Sequence, residues 1–298
     1  MLLVFGASGL LGYNFLLSAR LYYQDIIAVY NRHSISLPGI ICRQLDLASI
    51  VEINTLFKDF RPELVINCAA LTNVDWCQEH EAETMLINAK VPGVLASAAR
   101  FSGSKFVHIS TDAVFNGKVG SYSEDDIVDP LNVYAKSKLA GELAVQKEFP
   151  ESLIVRTNIF GRNIQNKNSL AEWMLSRLTV GEVFPAFNDA IFTPMLANDL
   201  SDIILEMVKY GLNGLYNVAS CDVCSKYEFA LELASIFKLS KDSIKPTSIV
   251  DFPFNALRPK NLSLNTDKIT RDLGRRMPSF KSGILRFKQL LDADFVTS

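Results

Sequence analysis

Residues 2–12, LLVFGASGLLG, decide the fold. Leu2 to Phe5 form a short apolar run without polar alternation, and Leu10 to Arg20 follow with a helical pattern. Between them Gly6, Gly9 and Gly12 stand in G-x-x-G-x-x-G spacing. Glycine allows a tight turn and lets backbone N–H groups approach a pyrophosphate, whose charge the following helix N-terminus favours. Three glycines alone are a weak signal, but a strand before and a helix after them is the context a dinucleotide site requires. The spacing has one residue more between the first two glycines than the G-x-G-x-x-G form.

The same rhythm continues outward from this turn. DIIAVY (25–30), ICRQLD (41–46), LVINCAA (64–70) and KFVHIS (105–110) read as strands, with helical segments near 49–60, 79–100 and 134–148. SLIVRTNIF (152–160) reads as a sixth strand. Apolar strand runs without alternation imply a sheet covered on both faces, hence parallel strands joined by helical crossovers. The expected fold is therefore α/β, a Rossmann-like doubly wound parallel sheet. After residue 160 the pattern loosens: helices are expected over 169–179, 200–210 and 227–237, and a strand at GLYNVA (214–219). This predicts an NAD(P)-binding domain over 1–160 and a smaller α/β substrate-binding lobe over 161–298, with about 190–222 returning to the first domain.

Composition narrows the function. With 298 residues, 49% hydrophobic and 21% charged, the chain has an ordinary globular make-up. A formal net charge of −2 argues against a nucleic-acid partner, because no basic excess exists to neutralise phosphates. No run of eighteen apolar residues suggests a membrane span, and the opening run of Met1 to Phe5 lacks the features of a signal peptide. A cytoplasmic location with no membrane association is expected. The five cysteines (Cys42, Cys68, Cys77, Cys221 and Cys224) are an odd set that does not read as a disulfide framework. Cys221 and Cys224 form a C-x-x-C, but His33, His80 and His108 lack metal-ligand spacing, so buried thiols are expected and no metal.

An NAD-selective site places an acid at the tip of the second strand. Here the tip reads Tyr30-Asn31-Arg32-His33, and Arg32 suits a 2′-phosphate, so NADPH is preferred and NADH left open. Asp46 and Leu47, at the end of the third strand, are placed to border the adenine. Cys68-Ala69-Ala70 ends the fourth in small residues that admit a cofactor close to the backbone.

Further on, Tyr134 and Lys138 lie at i and i+4, on one helical face. A free phenol titrates near pH 10, and a neighbouring ammonium is expected to lower that value. Tyr134 would then exchange a proton with a carbonyl oxygen, while Lys138 holds the nicotinamide ribose and Thr111 offers a hydroxyl beside the same oxygen. Such a pair is common on surfaces; its place about two dozen residues after the fifth strand is what gives it meaning.

Together these residues resemble the extended short-chain dehydrogenase/reductases, and among them the dTDP-4-dehydrorhamnose reductase family. The likeness runs through GASGLLG (6–12), RPELVINCAALTNVDWCQ (61–78), INA (87–89), HISTDAVFNG (108–117), PLNVYAKSKLAGE (130–142) and RPKNLSLNT (258–266). It implies NADPH-linked reduction of a 4-keto-6-deoxy sugar carried on a nucleoside diphosphate, in polysaccharide biosynthesis. Carried over by position, Thr111, Tyr134 and Lys138 match the family's catalytic group. Gly6, Ser8, Gly9, Leu10 and Leu11 match its pyrophosphate turn. Arg32, Asp46, Leu47, Ala69, Ala70 and Thr72 border the cofactor together with Tyr134 and Lys138. Thr111, Asp112, Ile159 and Arg258 face the substrate, Arg258 towards its phosphates.

Two departures fall near the sugar: Ala113 stands where the family usually has an aromatic residue, and RTNIFG offers Ile159 and Phe160 where a tryptophan after the sixth strand often lines the sugar pocket. Sugar dehydratases commonly carry Asp-Glu after the threonine, whereas here Asp112 is followed by Ala113. Epimerisation stays open, as does a regulatory NADP-binding subunit resembling the methionine adenosyltransferase beta subunit. A homodimer is also left open.

Overall fold

The computed structural model describes residues 1–165 and 167–297. Its centre is a seven-stranded sheet of β1 (Leu2–Phe5), β2 (Ile26–Tyr30), β3 (Ile41–Gln44), β4 (Leu64–Asn67), β5 (Lys105–Thr111), β6 (Leu153–Thr157) and β7 (Gly214–Asn217). The order is β7-β6-β5-β4-β1-β2-β3, and every neighbouring pair is parallel. The chain thus reverses its direction of growth between β1 and β4, where doubly wound sheets form a ligand crevice at the carboxyl ends.

Side chains alternate across the sheet, so both faces are buried. Leu2 and Val4 pack on one side with Phe15 and Leu16 of the helix Leu10–Ala19 and with Leu200 and Ile203 of the helix Ala197–Lys209. Leu3 and Phe5 pack on the other with Ile53, Leu95 and Val145. The doubly covered parallel sheet read from the apolar runs is the fold observed.

Several elements differ from the sequence reading. The run at 64–70 stops pairing after Asn67, whose side chain accepts from the Ala69 N–H (3.1 Å) and turns the chain out of the sheet. The helix expected over 79–100 is three pieces, Glu81–Met85, a π-turn over Leu86–Lys90 and Val91–Ser102, and a further short helix, Val74–Glu79, precedes them. The run at 152–160 divides at Asn158, and Ile159–Phe160 pairs instead with Met195–Leu196. The parallel pair Phe184–Phe187 with Ile244–Thr247, and the helices Asp267–Leu273 and Phe280–Thr297, were not anticipated.

A second core gathers Phe160, Phe184, Phe192, Phe229, Leu233 and Phe287. Segments after residue 160 also rejoin the sheet: β7 pairs with β6, and the Ala197–Lys209 helix lies against Leu10–Ala19.

Candidate active site

The glycine turn is built as its sequence requires. Gly6 has φ +72°, a left-handed conformation that side chains disfavour, and a Cβ there would lie 2.6 Å from the Ala69 nitrogen. A Cβ on Gly12 would lie 2.2 Å from the Gly6 carbonyl oxygen. Close packing therefore joins the turn, the helix start and the Ala69–Ala70 segment. Gly9 caps the Leu10–Ala19 helix without a side-chain hydrogen bond, and no acid occupies its first turn. A helix N-terminus left without an internal anion fits the pyrophosphate of a dinucleotide.

The other cofactor candidates occupy unequal settings. Ser8 is buried, and its carbonyl accepts from the Gln165 side chain (2.9 Å). Leu10 is half-buried and Leu11 buried in the sheet core. Arg32 and Asp46 are exposed; the Asp46 carboxylate accepts from the Ala48 N–H (3.0 Å), and Leu47 is buried against Leu3 and Phe5. Ala69 and Ala70 are half-buried, and exposed Thr72 accepts from Lys167 (3.3 Å). Gln165 and Lys167 were not foreseen, since a polar run such as 162–168 looks like any solvated loop.

Tyr134 and Lys138 lie in the helix Val133–Glu148. Asn132 caps it, accepting from the Ala135 N–H (2.9 Å), and its amide donates to the Leu257 carbonyl (3.0 Å), one residue before Arg258. One asparagine thus starts the helix of Tyr134 and Lys138 and fastens the Arg258 segment beside it. Thr111 closes β5, and Asp112 follows, with the Thr111 hydroxyl donating to the Asp112 carboxylate (3.1 Å).

These residues meet at a cavity of about 350 Å³ lined by Thr111, Asp112, Ala113, Tyr134, Asn158 and Arg258, among others. Ile159 is not part of that lining. Successive strand residues point to opposite faces, so with Asn158 turned to the cavity Ile159 packs on the sheet core instead. Asn158 donates to the Asp112 carboxylate (2.8 Å). Arg258 reaches the cavity while donating to Asp75 (2.7 Å) and lying over the Phe254 ring (4.8 Å to its centroid). Lys226 lines the same space and was not singled out in the sequence, where one lysine at a helix start carries no distinguishing pattern.

The electrostatics correct one expectation. Tyr134 is not lowered by Lys138: burial pushes its phenol up to about 12, against the opposing hydrogen bond of Thr111, with the Asp112 charge adding to the rise. The ammonium is directed elsewhere, donating to the Ile109 carbonyl (2.7 Å). Burial brings Lys138 itself down to about 8, while the Glu142 carboxylate, one turn further along the helix, holds it up. Asp112 is raised to about 6 by burial, despite its hydrogen bonds to Asn158 and Thr111. At neutral pH the phenol therefore carries the proton that ketone reduction consumes.

Comparisons with known proteins agree with this geometry. The RmlD substrate binding domain family matches residues 1–292. The dTDP-4-dehydrorhamnose reductase of Escherichia coli K12 is 30% identical, covering 100% of this chain and 99% of the relative. A protein of Haloferax volcanii described as a probable low-salt glycan biosynthesis reductase is 29% identical, over 94% of this chain and 95% of its own. Among solved structures, the dTDP-4-dehydrorhamnose reductase of Bacillus anthracis in complex with NADP superposes with a TM-score of 0.83 at 28% identity, covering 96% of this chain and 97% of that one. The chain belongs to the RmlD substrate-binding-domain family, the dTDP-4-dehydrorhamnose reductase branch of the extended short-chain dehydrogenase/reductases.

Proposed function

We propose that the protein is an NADPH-dependent reductase of a nucleotide-linked 4-keto-6-deoxy sugar, with Tyr134 as proton donor. One observation carries this reading: Thr111, Asp112 and Tyr134 converge on a single cavity, with Lys138 one turn after Tyr134 on the helix Val133–Glu148. NADPH, when bound, supplies the hydride. The chain's own residues do the rest. The Tyr134 hydroxyl gives its proton to the carbonyl oxygen, Thr111 shares the hydrogen bond to that oxygen, and the Lys138 charge stabilises the phenolate left behind. Gly6, Ser8, Gly9, Leu10 and Leu11 hold the pyrophosphate. Arg32, Asp46, Leu47, Ala69, Ala70 and Thr72 border the rest of the cofactor. Asp112 and Asn158 face the sugar, with Arg258 towards the phosphates.

In this reading residues 1–160, with the return segment near 190–222, hold the cofactor, and the remainder of 161–298 forms the substrate lobe. The pairing of β7 with β6 supports the return. A cytoplasmic enzyme acting on a nucleotide sugar completes the proposal; a homodimer would show as a doubled mass in sedimentation.

The test is NADPH oxidation, followed by absorbance, with a panel of nucleotide 4-keto-6-deoxy sugars. Turnover is expected on at least one, and Tyr134→Phe should lose it by about 10²-fold or more while binding NADPH as before. Tight NADP(H) binding without turnover on any sugar would mark a non-catalytic, regulatory protein instead. Undiminished reduction by Tyr134→Phe would remove the proton-donor role alone.

A further inference from the structure

Lys226 opens the helix Lys226–Phe237, directly after the strand Cys224–Ser225 that pairs antiparallel with Ile191–Phe192. Its backbone N–H is tied to the Ala190 carbonyl (3.0 Å), which fixes where the side chain starts. That side chain reaches the cavity also lined by Thr111, Tyr134 and Arg258. Its ammonium lies 5.7 Å from the centre of the Phe187 ring.

The other ions of the cavity are already engaged. Arg258 donates to Asp75 at 2.7 Å, and Asp112 accepts from Asn158 at 2.8 Å and from Thr111 at 3.1 Å. Asp112 is therefore satisfied without Lys226. Burial and the like charge of Arg258 both weigh against the Lys226 ammonium, and Asp112 only partly offsets them. Arg258 is paired with Asp75, and Asp112 with neutral donors, which leaves Lys226, among the described residues, as the cation of this cavity with no carboxylate within salt-bridge distance. A desolvated ammonium in that state costs free energy until an anion enters, and low-dielectric walls strengthen its attraction for one.

We propose that Lys226 is the principal diphosphate ligand of the substrate cavity, with Arg258 as its second cation. The proposal rests on the nucleotide-sugar reading and extends it to the anion subsite. A diphosphate places two anionic groups side by side, and the two cations differ in the way such a pair uses. The ammonium is a compact point charge that can follow an oxygen, while the guanidinium is a planar fork whose direction Asp75 already sets. Lys226 lines the same cavity as Thr111, Tyr134 and Arg258 and feels the charges of both Asp112 and Arg258. A sugar diphosphate anchored there would have its sugar directed to Thr111 and Tyr134.

The experiment is calorimetric titration of the full-length wild type, Lys226→Met and Lys226→Arg with dTDP, UDP and inorganic pyrophosphate, with NADPH binding as the control for folding. Lys226→Met should weaken the two nucleotides and pyrophosphate by about 10- to 100-fold, the loss typical of a charged hydrogen bond. NADPH affinity should be unchanged, and Lys226→Arg should recover most of the loss. In turnover, KM for the sugar nucleotide should rise with kcat nearly constant. Binding of dTDP, UDP and pyrophosphate by Lys226→Met within twofold of the wild type would overturn the proposal, as would a wild type that binds none of the three. The two readings fail separately. Lys226-dependent dTDP binding without reduction of any keto sugar removes the reductase reading and keeps the subsite, whereas normal reduction with Lys226-independent binding does the reverse.

Discussion

Lys138 is held close to the limit of what a buried ammonium can keep. Only 2% of the residue is exposed, and burial brings its pKa down to about 8. The role proposed for it requires the charge, because a neutral amine would not stabilise the phenolate that Tyr134 would become on giving up its proton. The sign follows directly. Below about pH 8 the ammonium is present and the rate holds; above it the proton leaves and the rate falls. Tyr134, raised to about 12, adds no loss of its own in this range. The expected profile of kcat/KM therefore has a basic limb with a midpoint near pH 8, measured between pH 6 and 10 in buffers of constant ionic strength. A rate that stays level to pH 10 would show that the Lys138 charge is not needed. Both residues were legible in the sequence by spacing and position. Their electrostatics were not, because the i and i+4 spacing places two side chains on one face without saying which acceptor each one finds. Here the ammonium finds the Ile109 carbonyl.

At the scale of elements, the fractured helix between β4 and β5 shows how the segment after β4 and the helix of Tyr134 and Lys138 are joined. Asn88 sits within the π-turn Leu86–Lys90 and is fully buried. Its side chain accepts from the Leu71 N–H (2.8 Å) and donates to the Leu71 carbonyl (2.9 Å) and to the Ser137 hydroxyl (3.1 Å). One amide thus holds the segment after Ala70 against the helix carrying Tyr134 and Lys138, and π-turns are often found at such functional places. Asn88→Ala would leave the Leu71 peptide groups and Ser137 without those partners. A loss of about 1–3 kcal/mol is expected in urea denaturation, together with a higher KM for NADPH as the 69–72 segment loosens. An unchanged KM for NADPH alongside the stability loss would confine Asn88 to a packing role. The strands were readable beforehand because burial on both faces writes itself as apolar runs, whereas this break was not. Residues 79–100 have an acceptable helical pattern, and the interruption coincides with hydrogen bonds to residues 71 and 137, distant in sequence. The turn at Asn158 hid in the same way: within RTNIF nothing local says that Asn158, rather than Ile159, faces the cavity.

For the whole molecule, the critical contact is the ion pair of Arg156 and Glu142, at 4% and 2% side-chain exposure. The guanidinium donates twice to the carboxylate, through Nε (2.9 Å) and Nη2 (2.7 Å), and lies over the Phe115 ring at 5.1 Å. Ser110 of β5 donates to the same carboxylate, and the Arg156 carbonyl accepts from the Val218 N–H just past β7 (2.9 Å). The pair therefore joins β5, β6, the catalytic helix and the returning segment of the later chain. A buried pair of this kind adds little over an apolar replacement, because desolvation offsets the attraction, but removing one partner strands the other. Glu142→Gln should cost roughly 3–5 kcal/mol, and the double variant Glu142→Leu with Arg156→Met should recover much of that loss. Equilibrium urea unfolding of the single and double variants gives the comparison. The single substitution also has a chemical consequence. Glu142 holds the Lys138 pKa up, so its loss should move the basic limb of kcat/KM below pH 8 in the fraction that remains folded. A purely structural pair would lower the amount of active enzyme and leave that midpoint where it was. A limb displaced to lower pH would show that the contact joining the sheet to the catalytic helix also keeps Lys138 charged.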